Sequence, residues 1–225
     1  MRVLRGRGDT PESDRARTAE LLDRTAETGE AGLRVWTPHR QVAFGRRDAH
    51  ADGYAEARRI AESRGFAPVE RSVGGHAVAY SGRTLAFAYA VPTTGLRVGL
   101  DARYESAVEA LGAALASLGV DARRGEPPDA FCPGDHSLRA GGKLAGLAQR
   151  VRADAALVAG CLLVCDHDVL ASVLAPVYDA LGLAFDPASV GSVAGSGGPE
   201  DPEAVARALE RAFIGGDVAR IATVD

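Results

Sequence analysis

Lysine is almost missing from this chain. Of its 26 basic residues, 25 are arginine and one, Lys143, is lysine. Asparagine does not occur, isoleucine occurs three times, and tryptophan and methionine once each. This pattern fits codon bias against A/T-rich triplets, which turns Lys into Arg wherever either serves. A lysine that survives it points to a place where a wide, permanently charged fork cannot replace a compact ammonium of adjustable pKa. The competing reading is one leftover surface lysine.

Other absences exclude whole classes. No run of about 18 apolar residues is present, so no membrane-spanning helix is expected. The opening MRVLRGRGDTPESD lacks the apolar stretch of a signal peptide, which predicts a cytoplasmic protein. A net charge of -4 provides no basic excess for nucleic acid. Three cysteines without a secretory signal do not make a disulfide framework. Cys161 and Cys165 lie in the apolar run LVAGCLLVCD, where four strand residues span ~13 Å, beyond the roughly 7 Å a disulfide allows. They read as small buried hydrophobes. The spacings of Cys132, His136, Cys161, Cys165 and His167 match no zinc pattern, so no metal site is expected. GxSxG and HExxH are absent, and GGK at 141–143 lacks the Ser/Thr and the upstream glycine of a phosphate loop.

What is present suits one large domain or a domain with a small appendage: 225 residues, 46% hydrophobic and 25% charged. Helices are predicted over 10–28, 54–64, 101–118, 168–181 and 202–213 from apolar spacing and end signals. Strands are predicted at 33–36, 41–48, 84–91, 137–140, 144–148 and 156–165, with a short edge strand within 1–8. In 84–91 bulky Leu85, Phe87, Tyr89 and Val91 alternate with Ala86, Ala88 and Ala90. The small face leaves room for a helix, a neighbouring strand or an acyl chain. Gly141-Gly142 forms a hairpin turn that places Lys143 at the head of the returning strand. Residues 191–200 read as a Gly/Ser-rich linker. Strands and helices mix without regular alternation, which indicates α+β with a mixed sheet.

The segment from Asp129 to Arg150, DAFCPGDHSLRAGGKLAGLAQR, concentrates the chemistry. Cys132 is the one cysteine in a polar loop, and the lone lysine follows about 10 residues later. Arg71 and the pair Gly74-Gly75 make a second loop in which backbone N–H groups can approach an anion; a plain hairpin turn is the simpler alternative. Together these suit acyl transfer. A Cys132 thiolate would be the nucleophile, and Lys143 would lower its pKa or hold the acyl carbonyl oxygen as charge develops there. His136 and His76 are the candidate acid/base groups, although a lone histidine more often has a structural role.

FCPGDHSL followed by GGKLAGLAQR, together with RSVGGHAV at 71–78 and the opening W-x-P, resembles the lipoate/biotin protein ligase and octanoyltransferase superfamily. The Cys-Pro-Gly-Asp run is most similar to the octanoyl/lipoyl amidotransferases. The resemblance covers about residues 30–165. It implies a central mixed, largely antiparallel sheet flanked by helices, related to class II aminoacyl-tRNA synthetases. It also implies transfer of an octanoyl or lipoyl group to a lysine of lipoyl domains, in 2-oxoacid dehydrogenase complexes and the glycine cleavage H protein. On that resemblance Cys132 and Lys143 are catalytic. Arg71, Ser72, Gly74, Gly75, His76, Ala77, Gly146, Ala148 and Gln149 bind the acyl substrate. Residues 1–190 form the catalytic domain, and 191–225 a linker and C-terminal helix packed on it.

Two branches of the superfamily compete. In the ligases, ATP with Mg makes an acyl-adenylate that the lysine matching Lys143 contacts. In the transferases a cysteine carries the acyl group as a thioester, without a cofactor. The usual ligase pattern R-R-x-x-G-G-G-A-V-x-H-D-L-G-N is broken here by Glu70, by His76 and by Ser81-Gly82-Arg83-Thr84. The stretch after 190 is also short for the accessory domain of many ligases. Both departures, with CPGD, favour transfer. A third possibility is a non-catalytic lipoyl-domain-binding protein that keeps the fold.

Overall fold

The computed structural model describes residues 1–71 and 74–224. In chain order the elements are β1 (Arg2–Arg5), α1 (Pro11–Thr28), β2 (Gly32–Trp36), β3 (Gln41–Phe44), α2 (Tyr54–Ser63), β4 (Ala67–Glu70), β5 (Val78–Tyr80) and β6 (Leu85–Pro92). There follow α3 (Leu100–Ser117), β7 (Arg123–Arg124), β8 (Ser137–Ala140), β9 (Gly142–Val151), β10 (Ala155–Leu162), α4 (His167–Ala180), α5 (Pro202–Ile214) and β11 (Arg220–Thr223). Among these residues no helix is long and apolar enough to cross a membrane.

An eight-stranded sheet runs β11-β1-β2-β6-β10-β9-β8-β7, parallel at β11-β1-β2 and antiparallel beyond. A smaller sheet, β4-β3-β5, stands beside it. This is the expected α+β architecture. β1 is not an edge strand: β11, which periodicity does not reveal, pairs along its outer side. α1 begins where Thr10 and Ser13 cap each other's backbone and Pro11 fixes the first turn, and it ends at Gly29 in the left-handed region.

Side-chain size decides which layer covers which face. Leu85 and Phe87 of β6 pack with Val108, Leu111 and Leu115 of α3 and with Leu209 and Phe213 of α5. On the other face Ala88 and Ala90 accept Leu21 and Leu22 of α1. That small face therefore serves a helix over most of its length. A third cluster joins the small sheet to α2 and α4 through Phe44, Val78, Ala61, Leu174 and Val177.

The 191–200 run is packed, contrary to a linker's looseness. Val193 and Ser192 are buried, Gly191 N–H donates to the Lys143 carbonyl at 3.0 Å, and a 3-10 turn spans Ala194–Ser196. Its glycines give close approach: a Cβ at Gly191 would meet the Gly142 backbone at 2.8 Å.

Arg34 of β2 is fully buried and paired with Asp14 of α1, and its guanidinium also stacks 4.1 Å from the Trp36 ring centre. Burial lowers its pKa, with Asp14 opposing. Asp14→Ala would strand that buried cation. The expected loss is about 3–5 kcal/mol of stability, read as a lower urea midpoint with unchanged slope.

Candidate active site

The site lies where the small sheet, the loop before β8 and the head of β9 meet. Lys143 is 1% exposed. Its Nζ donates to Glu126 Oε2 at 2.6 Å, to the Phe131 carbonyl at 2.9 Å and to the Cys132 carbonyl at 2.8 Å. An ammonium has three donors, and all three are occupied. Glu126 also accepts from Gly134 N–H at 2.9 Å and from Ser137 Oγ at 3.0 Å. The lone lysine thus ties the cysteine loop to β9 through one carboxylate. Arginine, with its broader fork, does not fit such a socket.

A register shift between Leu138 and Arg139 interrupts the β8-β9 ladder. The bulge changes the parity of β9. Gly146 comes to the same side as Lys143: a Cβ there would lie 3.4 Å from Lys143 Cε. Rows of small residues then run across the sheet, Gly146–Cys161–Ala86 and Ala148–Ala159–Ala88. α1 covers the β6 end, whereas Ala148 is exposed.

Cys132 has a positive φ of 41°, rare for a residue with a side chain. Three bonds hold it there. Its N–H donates to the Tyr178 hydroxyl oxygen of α4 at 2.6 Å, and its carbonyl accepts from Lys143. Its Sγ receives Arg71 Nη2 at 3.3 Å. Tyr178 in turn donates to the Ala77 carbonyl at 2.9 Å, and the same Arg71 nitrogen donates to the His76 carbonyl at 2.5 Å. The Gly74-Gly75 loop is thereby clamped onto the cysteine loop. Gly75 has φ 86°, and a Cβ on it would sit 2.8 Å from Cys132 Sγ. Any larger residue there meets the sulfur and a strained backbone together.

The electrostatics follow. Burial lowers the Arg71 pKa, but the neighbouring Cys132 and then Tyr80 raise it by more, so its net displacement is upward. A permanent cation therefore stands beside the sulfur. Sequence reasoning gave that role to Lys143; the hydrogen bond to Sγ comes from Arg71. Burial pushes the Cys161 thiol up, with Lys143 partly opposing, and pushes the Tyr178 phenol up strongly. His76 Nδ1 lies 2.8 Å from Asp48 Oδ1, and Asp48 Oδ2 accepts from Gly45 N–H at 2.9 Å. A cleft of about 400 Å³ opens beside them, lined by Gly45, Arg46, Ala49, His50, Glu70 and Arg71.

The structure thus gathers Cys132, Lys143, Arg71, Gly75, His76, Ala77 and Gly146. It does not gather Gln149 or His136. Gln149 lies six residues along β9, roughly 20 Å from Lys143, and ties Arg103 and the Leu100 carbonyl of α3. His136 stacks on Tyr104 of α3 with ring centres 3.7 Å apart. Ser72 lies outside the described residues. Glu126, Tyr178 and Asp48 were missed. Glu126 sits in a Pro-rich turn without periodicity, and Tyr178 is hidden in an apolar helix face. Asp48 falls at the end of the strand predicted over 41–48, which stops at Phe44.

The fold is that of a lipoyl protein ligase catalytic domain. Residues 11–213 match the lipoyl protein ligase A/B catalytic domain, and the chain belongs to that family. It is 29% identical over 125 residues to an octanoyl-[GcvH]:protein N-octanoyltransferase of Oceanobacillus iheyensis, covering 55% of this chain and 44% of that protein. The chain thus spans less than half the length of that curated relative. Among solved structures it resembles a lipoate-protein ligase A bound with ATP, with TM-score 0.78, 23% identity and coverage of 100% of this chain and 89% of the other. A bi-partite lipoate protein ligase of Thermoplasma acidophilum, solved in a study of that ligase and its E2 lipoyl domain, aligns with TM-score 0.68 and 21% identity, covering 100% and 87%.

Proposed function

We propose that this protein transfers an octanoyl or lipoyl group to the lysine of lipoyl domains through a thioester on Cys132, in the cytoplasm. The observation that carries this reading is Arg71 Nη2 at 3.3 Å from a sulfur whose backbone is fixed on both sides. A fixed, charge-stabilised thiolate is what acyl transfer needs of its nucleophile. The sulfur attacks the acyl carbonyl carbon, the bond to the donor's carrier breaks, and the carrier leaves with the thiol's proton. A neutral lysine amine of the acceptor then attacks the thioester. An amide forms, and the thiol is restored with the amine's proton. Glycine cleavage H protein and E2 lipoyl domains are the partners that the names of the relatives support. Residues 1–190 carry the chemistry, and 191–224 continue the same packed unit.

Two features favour the branch without ATP and Mg over the ligase alternative. The lysine that would contact an acyl-adenylate has all three donors bound within the protein, and Glu70 stands in the cleft where the ligase pattern has arginine.

Incubation with an octanoylated H protein and no ATP should give a chain heavier by one octanoyl group, labile to hydroxylamine and mapping to Cys132. Pyrophosphate release from lipoate and ATP, without that adduct, would establish the ligase reading instead. Binding of a lipoyl domain with neither result would leave a non-catalytic binding protein.

A further inference from the structure

We infer that the cleft beside Cys132 receives an acidic segment next to the acceptor lysine of the lipoyl domain, with Arg46 and Arg71 as its cationic contacts. The inference rests on the transfer reading and deepens it by naming how the acceptor is held at the sulfur.

Two glycines set the cleft against the cysteine loop. It is lined by Gly45, Arg46, Ala49, His50, Glu70 and Arg71. A Cβ on Gly45 would run into the Gly75 carbonyl, and one on Gly75 would lie 2.8 Å from Cys132 Sγ. The turn after β3 therefore packs on the loop that packs on the sulfur. Arg71 belongs to both places: its Nη2 reaches Sγ at 3.3 Å, and its side chain lines the cleft. An oxygen bonded to another nitrogen of that guanidinium lies within about 9 Å of the sulfur. The side chain of a neighbouring lysine spans such a distance.

The cations here have donors to spare. The exposed guanidinium groups of Arg46 and its neighbour Arg47 have no hydrogen bond or ion pair among the described residues. Arg71 Nε is buried without a partner among them, beyond the bonds of Nη2 to Sγ and the His76 carbonyl. A buried donor left unpaired is costly, and an acceptor from a bound molecule relieves it. The nearby acids are already bonded. Glu70 accepts from the Tyr54 hydroxyl at 2.7 Å and faces Arg58 at 3.7 Å. Arg15 donates to the Glu70 carbonyl at 3.4 Å and pairs with Glu12 at 2.8 Å. Asp48 is buried, with Gly45 N–H on one oxygen and His76 on the other. Asp52 lies past the turn, outside the lining.

Arginine clusters hold carboxylates through paired donors. This one is a local positive corner in a chain whose formal net charge is -4. The lining nevertheless carries both signs. An acid of the incoming segment meets Arg46 and Arg71, and the ammonium of the acceptor lysine meets Glu70 on its way to the sulfur. A polyphosphate, all of one sign, would meet Glu70 as a repulsion. Charge complementarity therefore favours a mixed-charge peptide segment over a nucleotide.

The test is the affinity of an apo lipoyl domain for the full chain, measured by calorimetry between about 50 and 200 mM salt. Arg46→Glu should weaken binding about tenfold at the lower salt and flatten its salt dependence. Arg211→Glu, the same charge change on an exposed residue at the end of α5, should leave both as they are. Changing the acid nearest the domain's acceptor lysine to arginine should weaken binding to the wild type and restore binding to Arg46→Glu. Wild-type affinity in Arg46→Glu overturns the inference. So does an equal loss in Arg211→Glu, which would reduce the effect to overall charge. Binding of ATP with Mg that Arg46→Glu abolishes, with the domain's affinity unchanged, assigns the cleft to a nucleotide and overturns it too. Should Arg46→Glu fold poorly, the domain variant decides, and its unchanged affinity for the wild type overturns the docking. The octanoyl adduct reports separately. An adduct with Arg46-independent binding ends the docking alone, whereas Arg46-dependent binding without an adduct ends the transferase reading alone.

Discussion

Lys143→Arg is expected to lower acyl loading of Cys132 by at least 100-fold and to lower stability as well. From the sequence alone, arginine here folds normally and fails only in chemistry. The socket changes that expectation. Glu126 and two loop carbonyls converge on one nitrogen within 2.6–2.9 Å, and the side chain is 1% exposed. A guanidinium cannot place three donors at that one point, and its extra bulk must displace Phe131 or Cys132. Overpacking of this kind costs roughly 1–3 kcal/mol, and a shift near 1 Å of a reacting atom can cost ~100-fold. Urea unfolding and octanoyl loading, measured on the same variant, check both parts. Normal loading by a stable Lys143→Arg protein would reduce this lysine to a filler of its socket.

Cys132→Ala is expected to abolish the hydroxylamine-labile adduct and to lower transfer to a lipoyl domain by at least ~1000-fold, the scale on which losing a covalent nucleophile acts. Cys161→Ala and Cys165→Ala should retain transfer. Both are buried, and burial pushes both thiols up, away from thiolate. Stability of Cys132→Ala should change little, since its N–H and carbonyl bonds do not involve the sulfur; the positive φ disfavours alanine and cysteine alike. Transfer by Cys132→Ala that depends on lipoate and ATP would make the cysteine a bystander.

The local grammar of the chain was readable. All five helices follow from apolar period, caps and glycines, with bounds shifted by only a residue; the Lys143 hairpin was readable too, but its returning strand spans Gly142–Val151 rather than 144–148. Pairing between distant segments was not. β11 is a four-residue strand that pairs with β1, 218 residues away in register, and nothing in RIAT announces it. The Gly/Ser composition of 191–200 reads as a linker because glycine permits both looseness and tight contact; the contact with Gly142 decides it. At the site, residue types were legible and their geometry was not. A lone lysine and a loop cysteine could be singled out, but strict alternation puts Lys143 and Gly146 on opposite faces, and only the bulge reunites them. Gln149 followed the motif into the predicted set although its face belongs to α3. Asp48, Glu126 and Tyr178 carry ordinary polar groups in ordinary places, and only the third dimension gives them their partners.

The grip of Tyr178 on Cys132 also bears on how the molecule comes together in time. The phenol joins a loop before β8 to the turn before β5, across 46 and 101 residues of chain. Contacts of such long range form only after the intervening loops have closed, the slow part of folding. The left-handed turn at Cys132 gains its bond to Tyr178 only once α4 has docked. The contacts that fix the Cys132 backbone thus include a long-range bond, and they depend on the core around α4 being in place.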